Sequence, residues 1–308
     1  MRFLRYIFFI VFFSKGFFSY AVTTYSVGAT VAANWYSTIA LAYAACTGSP
    51  AGGYVIEIQS NYVTEALPIT LGGKANLTSS VPLIIRPAAT LTISGSASSI
   101  FYLNGAHHIT FDGRVGSSGS SVWTIDNTST TNYNYTFRFA NDANNNTIKY
   151  CTVKGCSNYG CIYFEGTTGT TGNDDNTIDY CTIKPTSGTS ILTYGIHSLG
   201  TSTKENSGIT ISNCNFENIS WSIWIENNSR DFTISGNSFY LTAATTPSYD
   251  FVGIYCSAPL GGHTVSSNYF WGEICQLWRF CLHIKYIELW LLAHCFYQCP
   301  YRVVSYYQ

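Results

Sequence analysis

The sequence predicts an all-β fold, a single-stranded right-handed parallel β-helix closed at its N-terminal end by a short capping helix. Three observations predict it. First, "NTIKYCTVKG" at 146 returns as "NTIDYCTIKP" at 176, and looser copies read "ITFDGRV" at 109, "ITISNCNF" at 209, "FTISGNSF" at 232 and "HTVSSNYF" at 263. Their threonines, Thr110, Thr147, Thr177, Thr210, Thr233 and Thr264, are 37, 30, 33, 23 and 31 residues apart, as the layers of a stacked repeat would be. Second, an element with period-two alternation recurs between the copies: "IFYLNG" at 100, "YTFRFAN" at 135, "GCIYFEG" at 160, "YGIHSLG" at 194, "SIWIENN" at 222 and "VGIYCSA" at 252. That alternation is the signature of a strand, so each layer is expected to carry two strands. Third, residues 50–270 hold no long 3.6-residue pattern, and Gly and Asn punctuate every segment. Parallel strands stacked layer on layer, about 4.8 Å apart, then make a β-helix.

The chain begins with a targeting segment. Arg2 and Arg5 precede the apolar run "YIFFIVFF", which ends at Ser14 and Lys15, and "SYA" follows with Ser19 and Ala21 placed for a signal peptidase. Residues 1–21 are read as a signal peptide cleaved after Ala21. The run is too short to span a bilayer, so the mature chain is expected to be secreted or on the outer cell surface with no transmembrane span. In "NWYSTIALAYAAC" (34–46), Trp35, Ile39 and Tyr43 recur every four residues, giving the apolar stripe of a capping helix. The β-helix is expected over 22–273.

Cys151, Cys181 and Cys214 fall in one slot of successive copies, and Asn237 and Asn268 take that slot in the next two. Such a ladder predicts buried thiols, neither disulfide-bonded nor metal-bound. Beyond Glu273 the composition changes: 275–308 hold no Gly, Asn, Thr or Asp, but four of the chain's 11 cysteines. A membrane helix there is disfavoured by Arg279, His283, Lys285, Glu288 and His294. Residues 274–308 are therefore read as anomalous, the expectation being a reading frame that shifts near Ile274.

The repeats "NTIKYCTVKG", "NTIDYCTIKP" and "SGITISNCNFENIS" resemble the parallel β-helix repeat of the pectate-lyase-like superfamily. The opening region, "GYVIEIQSNYVTEALPITL", "PLIIRPAATLTISG" and "ITFDGRVG", is similar to large exported β-helix proteins of bacteria that use type IX secretion. The resemblance implies a β-helix over roughly 22–273 and leaves activity open, because this fold hosts many functions.

Charge excludes one class of partner. Fifteen Lys and Arg against sixteen Asp and Glu give a net charge of −1, and only 10% of residues are charged, so nothing provides the basic stripe that nucleic acid needs. No cofactor motif appears. Calcium-dependent lyases need clustered carboxylates. "GNDD" (172–175) reads as a turn, "FDG" (111–113) as a tight bend, and no calcium ligand set assembles. Lys149 and Asp179 share a slot in adjacent layers and are expected to pair at the surface. His107, His108 and His263 read as corner or packing residues.

Strand parity gives the candidate site. If Phe101, Phe137, Ile162, Ile196, Ile223 and Ile254 point inward, then Tyr102, Arg138, Tyr163, His197, Trp224 and Tyr255 point outward, and so do Asn104, Ala140, Glu165, Leu199, Glu226 and Ser257 two positions on. An exposed aromatic row suggests a contact surface for polysaccharide or a cell-surface glycan. The leading expectation is an exported glycan-binding or adhesive protein without catalysis. The alternative is a polysaccharide lyase or glycoside hydrolase acting on an acidic polysaccharide through Glu165, His197 and Glu226, and a third is a structural stalk.

Overall fold

The computed structural model describes residues 22–30, 32–156, 159–188, 190–242, 251–257 and 260–272. The signal peptide and the anomalous tail expected from the sequence lie outside them. Three long sheets, parallel throughout, enclose one core as a right-handed parallel β-helix. The first sheet contains the repeated threonines: Thr110, Thr147, Thr177, Thr210, Thr233 and Thr264 are cross-strand partners in unbroken succession. The second is built from Ile69–Gly72, Ser99–Asn104, Tyr135–Ala140, Ile162–Phe164, Leu192–Ser198, Ile219–Ile225 and Val252–Cys256. The third runs from Leu91–Gly95 through Trp123–Asn127, Cys151–Gly155, Thr182–Pro185, Asn215–Glu217 and Ser238–Leu241 to Tyr269–Gly272.

Each repeated layer thus has three strands, where two were expected. The copy "NTIKYCTVKG" is not one strand but two, Thr147–Lys149 and Cys151–Gly155, broken at Tyr150. Tyr150, Tyr180, Asn213 and Ser267 all adopt φ of 50–54° at this corner. That left-handed conformation is costly for a tyrosine. Here the two rings stack 4.9 Å apart and 2° from parallel, with the Arg114 guanidinium 3.8 Å from the Tyr150 ring centre.

Just past that corner, Cys151, Cys181 and Cys214 are buried with free thiols. Each thiol donates to the carbonyl two residues back, at 3.3, 3.4 and 3.1 Å. Asn in the same slot reaches further. Asn237 accepts from Cys214 N (2.9 Å) and donates to Ile211 O, and Asn268 accepts from Asn237 N (3.0 Å). A second ladder precedes the threonines: Asn146 accepts from Ile109 N, Asn176 from Asn146 N, and His263 Nδ1 from Phe232 N.

Inward residues of all three sheets form a continuous apolar core. Phe101, Phe111 and Phe137 lie within 5.2 Å of one another by ring centre, and Phe239 stacks on both Phe216 and Phe270. The helix expected over 34–46 is shorter, Ile39–Ala45, and Trp35 lies outside it in a strand beside Thr23–Val27. Thr38 caps its first turn through Leu41 N (3.1 Å), and the Glu65 carboxylate accepts from Ile39 N (2.6 Å) and Ala40 N (3.1 Å). Those external acceptors start the helix at Ile39, where its own polar N–H groups would otherwise be orphaned. Ile39, Ala42 and Tyr43 bury against the core. Among the described residues no helix is long and apolar enough to cross a membrane.

Candidate functional site

The three outer surfaces are not alike. The first sheet presents Thr147 and Lys149, Thr177 and Asp179, Thr210 and Ser212; the third presents Thr152 and Lys154, Thr182 and Lys184, Asn215 and Glu217. On the second sheet Tyr102, Arg138, Tyr163, His197, Trp224 and Tyr255 are successive cross-strand partners. Their inward neighbours Phe101, Phe137, Ile162, Ile196, Ile223 and Ile254 are all at most 3% exposed.

The row is held by stacking and by one repeated hydrogen-bonding rule. Arg138 lies 4.9 Å from the Tyr102 ring centre, Tyr163 stacks on His197 (4.9 Å, 26°), and His197 on Trp224 (4.4 Å, 10°). Layer spacing in a parallel sheet, about 4.8 Å, matches ring stacking, so these rings lie across the coil axis and turn edges outward. The polar group two residues further on then binds back to the row residue of the preceding layer. Arg138 donates to both oxygens of Glu165 (2.7 Å each), His197 Nε2 meets Glu226 Oε2 (2.7 Å), and Trp224 Nε1 donates to Ser257 (3.2 Å). Asn104 accepts from Asn141 at 2.6 Å, Leu199 is half-buried, and Ala140, the cross-strand partner of Asn104, is buried.

His197 is only 5% exposed, closed in by Tyr163 and Trp224, and its Nδ1 has no hydrogen-bond partner. Burial, with Glu165 and Glu226 nearby, pushes the Tyr163 hydroxyl up to about 12. The bonds to Glu165 raise the Arg138 guanidinium above its ordinary value.

Strict alternation misses a second group of rings on this face. Thr136 and Phe137 both donate from their backbone N–H to Cys161 O (2.8 and 2.9 Å), the mark of a bulge. Two consecutive residues therefore turn inward, as Ser222 and Ile223 also do. Parity reverses, and the preceding Tyr135, Tyr194 and Trp221 join the outer cluster. Tyr135 stacks on Tyr163 (4.5 Å) and Tyr194 on Trp224 (4.7 Å). Trp221 stands edge-on to both Tyr194 (88°) and Trp224 (80°). Its plane therefore runs along the axis, unlike the stacked rings. The sequence did carry a signal: in "YTFR", "YGIH" and "WSIW" an aromatic stands three residues before the row position.

Two borders flank the face. Ahead of the strands, Tyr133, 64% exposed, stacks on Tyr159 at 3.9 Å. Beyond them the connections after Glu165 and Ser198 join in a polar ridge. Thr167 N donates to Thr201 Oγ1 (2.9 Å), Thr168 to Asn141, and Thr170 and Thr171 N–H groups to Asp142. Burial disfavours the Asp142 anion, but these donors outweigh it and hold the carboxyl below its usual range.

The remaining motifs are structural. In "GNDD", Asp174 accepts from Ser207 N and Oγ (2.9 Å each) and Asp175 takes φ 55° at a corner. In "FDG", buried Asp112 is gripped by Arg114 through two 2.9 Å bonds. Lys149 does not pair with Asp179 as expected. It reaches the deeper Asp112 (3.5 Å), while Asp179 accepts from Ser212 and Asn213. His108 has φ 56° at a corner and packs edge-on against His107. Among the described residues no group of three His, Cys, Asp or Glu could hold a metal ion.

No protein-family model matches the chain, and no curated protein matches it. Among solved structures, an alginate lyase from Paenibacillus sp. str. FPU-7 is similar at 13% identity over 80% of this chain and 97% of that one, with a TM-score of 0.32. A likeness that distant bears on neither the site nor the activity.

Proposed function

We propose that the chain is an exported, non-catalytic β-helix protein, of the pectate-lyase-like kind, that contacts glycan through the outer face of its second sheet. One observation carries this reading: rings stack through successive layers on one of three outer faces, while the first sheet's carries Thr, Ser, Lys and Asp, and the third's carries Thr, Lys, Asn and Glu with Tyr240 and Tyr269 at its far end. A stalk needs only a stable coil and gives no reason for that asymmetry, whereas half-exposed aromatic patches mark contact surfaces. The stacked rings give up their faces to one another. Contact therefore falls to hydroxyl and carboxylate tips and to Trp221, whose plane lies along the axis. Catalysis by Glu165 is disfavoured because both its oxygens are held by Arg138.

A glycan array on the full chain tests the reading. Trp221→Ala is expected to weaken binding about tenfold or more with the far-UV circular dichroism unchanged; binding that survives intact would sink it. The 2.7 Å His197–Glu226 pair supports a second reading, a polysaccharide lyase or hydrolase with an imidazole oriented by a carboxylate. Polymer cleavage by the wild type that drops about 100-fold in Glu226→Gln would put that second reading first.

A further inference from the structure

Resting on the glycan-contact reading above, we infer that the face takes a neutral polysaccharide and rejects acidic ones. The seven strands of the second sheet contain two side chains able to carry positive charge, Arg138 and His197. Arg138 is committed to Glu165 through two bonds, so that pair presents no net charge. His197 is buried and turned to Glu226. Glu226 remains, with 23% of its side chain exposed and only Oε2 engaged by the imidazole. The bordering ridge adds Lys204 beside Glu205, together with the Asp142 carboxylate. Tyr163 keeps its proton near neutrality and offers a hydroxyl, not an anion.

A uronate lying on this surface would meet Glu226 with no free guanidinium or ammonium on the strands to neutralise it, and like charges brought together cost affinity. A neutral sugar chain instead finds an acceptor in the second oxygen of Glu226, the Tyr163 hydroxyl, and the Trp221 ring running along the axis. Recognition by such groups depends weakly on salt, because screening acts on charge pairs and not on hydroxyl hydrogen bonds or apolar contact.

The test is native affinity electrophoresis of the full chain in gels containing laminarin, galactomannan, alginate or polygalacturonate. A neutral polymer is expected to retard the protein equally at about 20 mM and about 500 mM NaCl, and the two acidic polymers are not. Trp221→Ala should lose the neutral retardation. Glu226→Gln should raise retardation by the acidic polymers relative to the neutral ones. Retardation of the wild type by alginate or polygalacturonate, or neutral retardation lost at high salt, overturns the inference while leaving a glycan face in place. Retardation by none of the four, or retardation undiminished in Trp221→Ala, removes the glycan-contact reading itself.

Discussion

Trp221 and Trp224 are three residues apart and do different jobs. Trp224 stacks on both His197 and Tyr194 of the preceding strand and is bonded to Ser257, so Trp224→Ala should destabilise by about 2–3 kcal/mol, read by thermal denaturation. Trp221 stands across the stack, and its loss should cost stability less than its loss costs binding. Alternation identified Trp224 and missed Trp221, because the bulge that turns Trp221 outward is a backbone event, written in no single residue. The ladder thiols make a second prediction. Burial raises Cys151 and Cys214 well above the ordinary thiol range, so among the described cysteines native alkylation at neutral pH should be confined to half-buried Cys156, as mass spectrometry would show. Alkylation of Cys181 in the folded protein would contradict the ladder. His263 carries a third. Burial, opposed weakly by Asp231, lowers it to about 4, against about 6.5 when unfolded. Its contribution is complete above about pH 6.5 and is lost as pH falls toward about 4, on the order of 2 kcal/mol. His263→Asn should keep the bond from Phe232 N, as Asn146 and Asn176 do in their layers, and abolish that pH dependence in denaturant titrations.

At the scale of elements, the repeated threonines were legible because each sits at one register position of a parallel ladder, and register leaves a period in the sequence. The corner between the first and third sheets was not. Tyr150 and Tyr180 are poor candidates for left-handed backbone, and only the stack they form with Arg114 makes the break intelligible. The helix shows the same limit. Its stripe pointed to Trp35, Ile39 and Tyr43, yet its start is fixed by Glu65, far along the chain. Glu65→Ala should therefore fray the helix and cost about 1–2 kcal/mol. Hydrogen exchange would register the change at the amides of Ile39 and Ala40, and an effect spread evenly over the sheets would contradict it.

Across the whole molecule, strands pair with those of the layers on either side, and the Thr186–Asp126 bond (2.5 Å) reaches one layer further, so the coil is close to a one-dimensional stack. Thr147 pairs with Thr177 and Phe137, through Ile162, lies in line with Ile196. Joining Asn146 directly to Thr177 should consequently delete one layer and restore every register below it. The shortened protein is expected to fold with unchanged ellipticity per residue; collapse would mean that layers are not interchangeable. Depth along the chain and number of sheets were beyond the sequence, since they depend on corners whose residues share no common type.

Layer-to-layer hydrogen bonds in this coil all point along its axis. Tension applied along that axis therefore loads one interlayer seam at a time, and the coil peels instead of shearing. Each rupture frees the contour length of a single layer, roughly 80–130 Å for the spacings between successive threonines. If the flank holds a glycan surface as proposed, the body becomes an extensible tether, giving way in discrete steps under load.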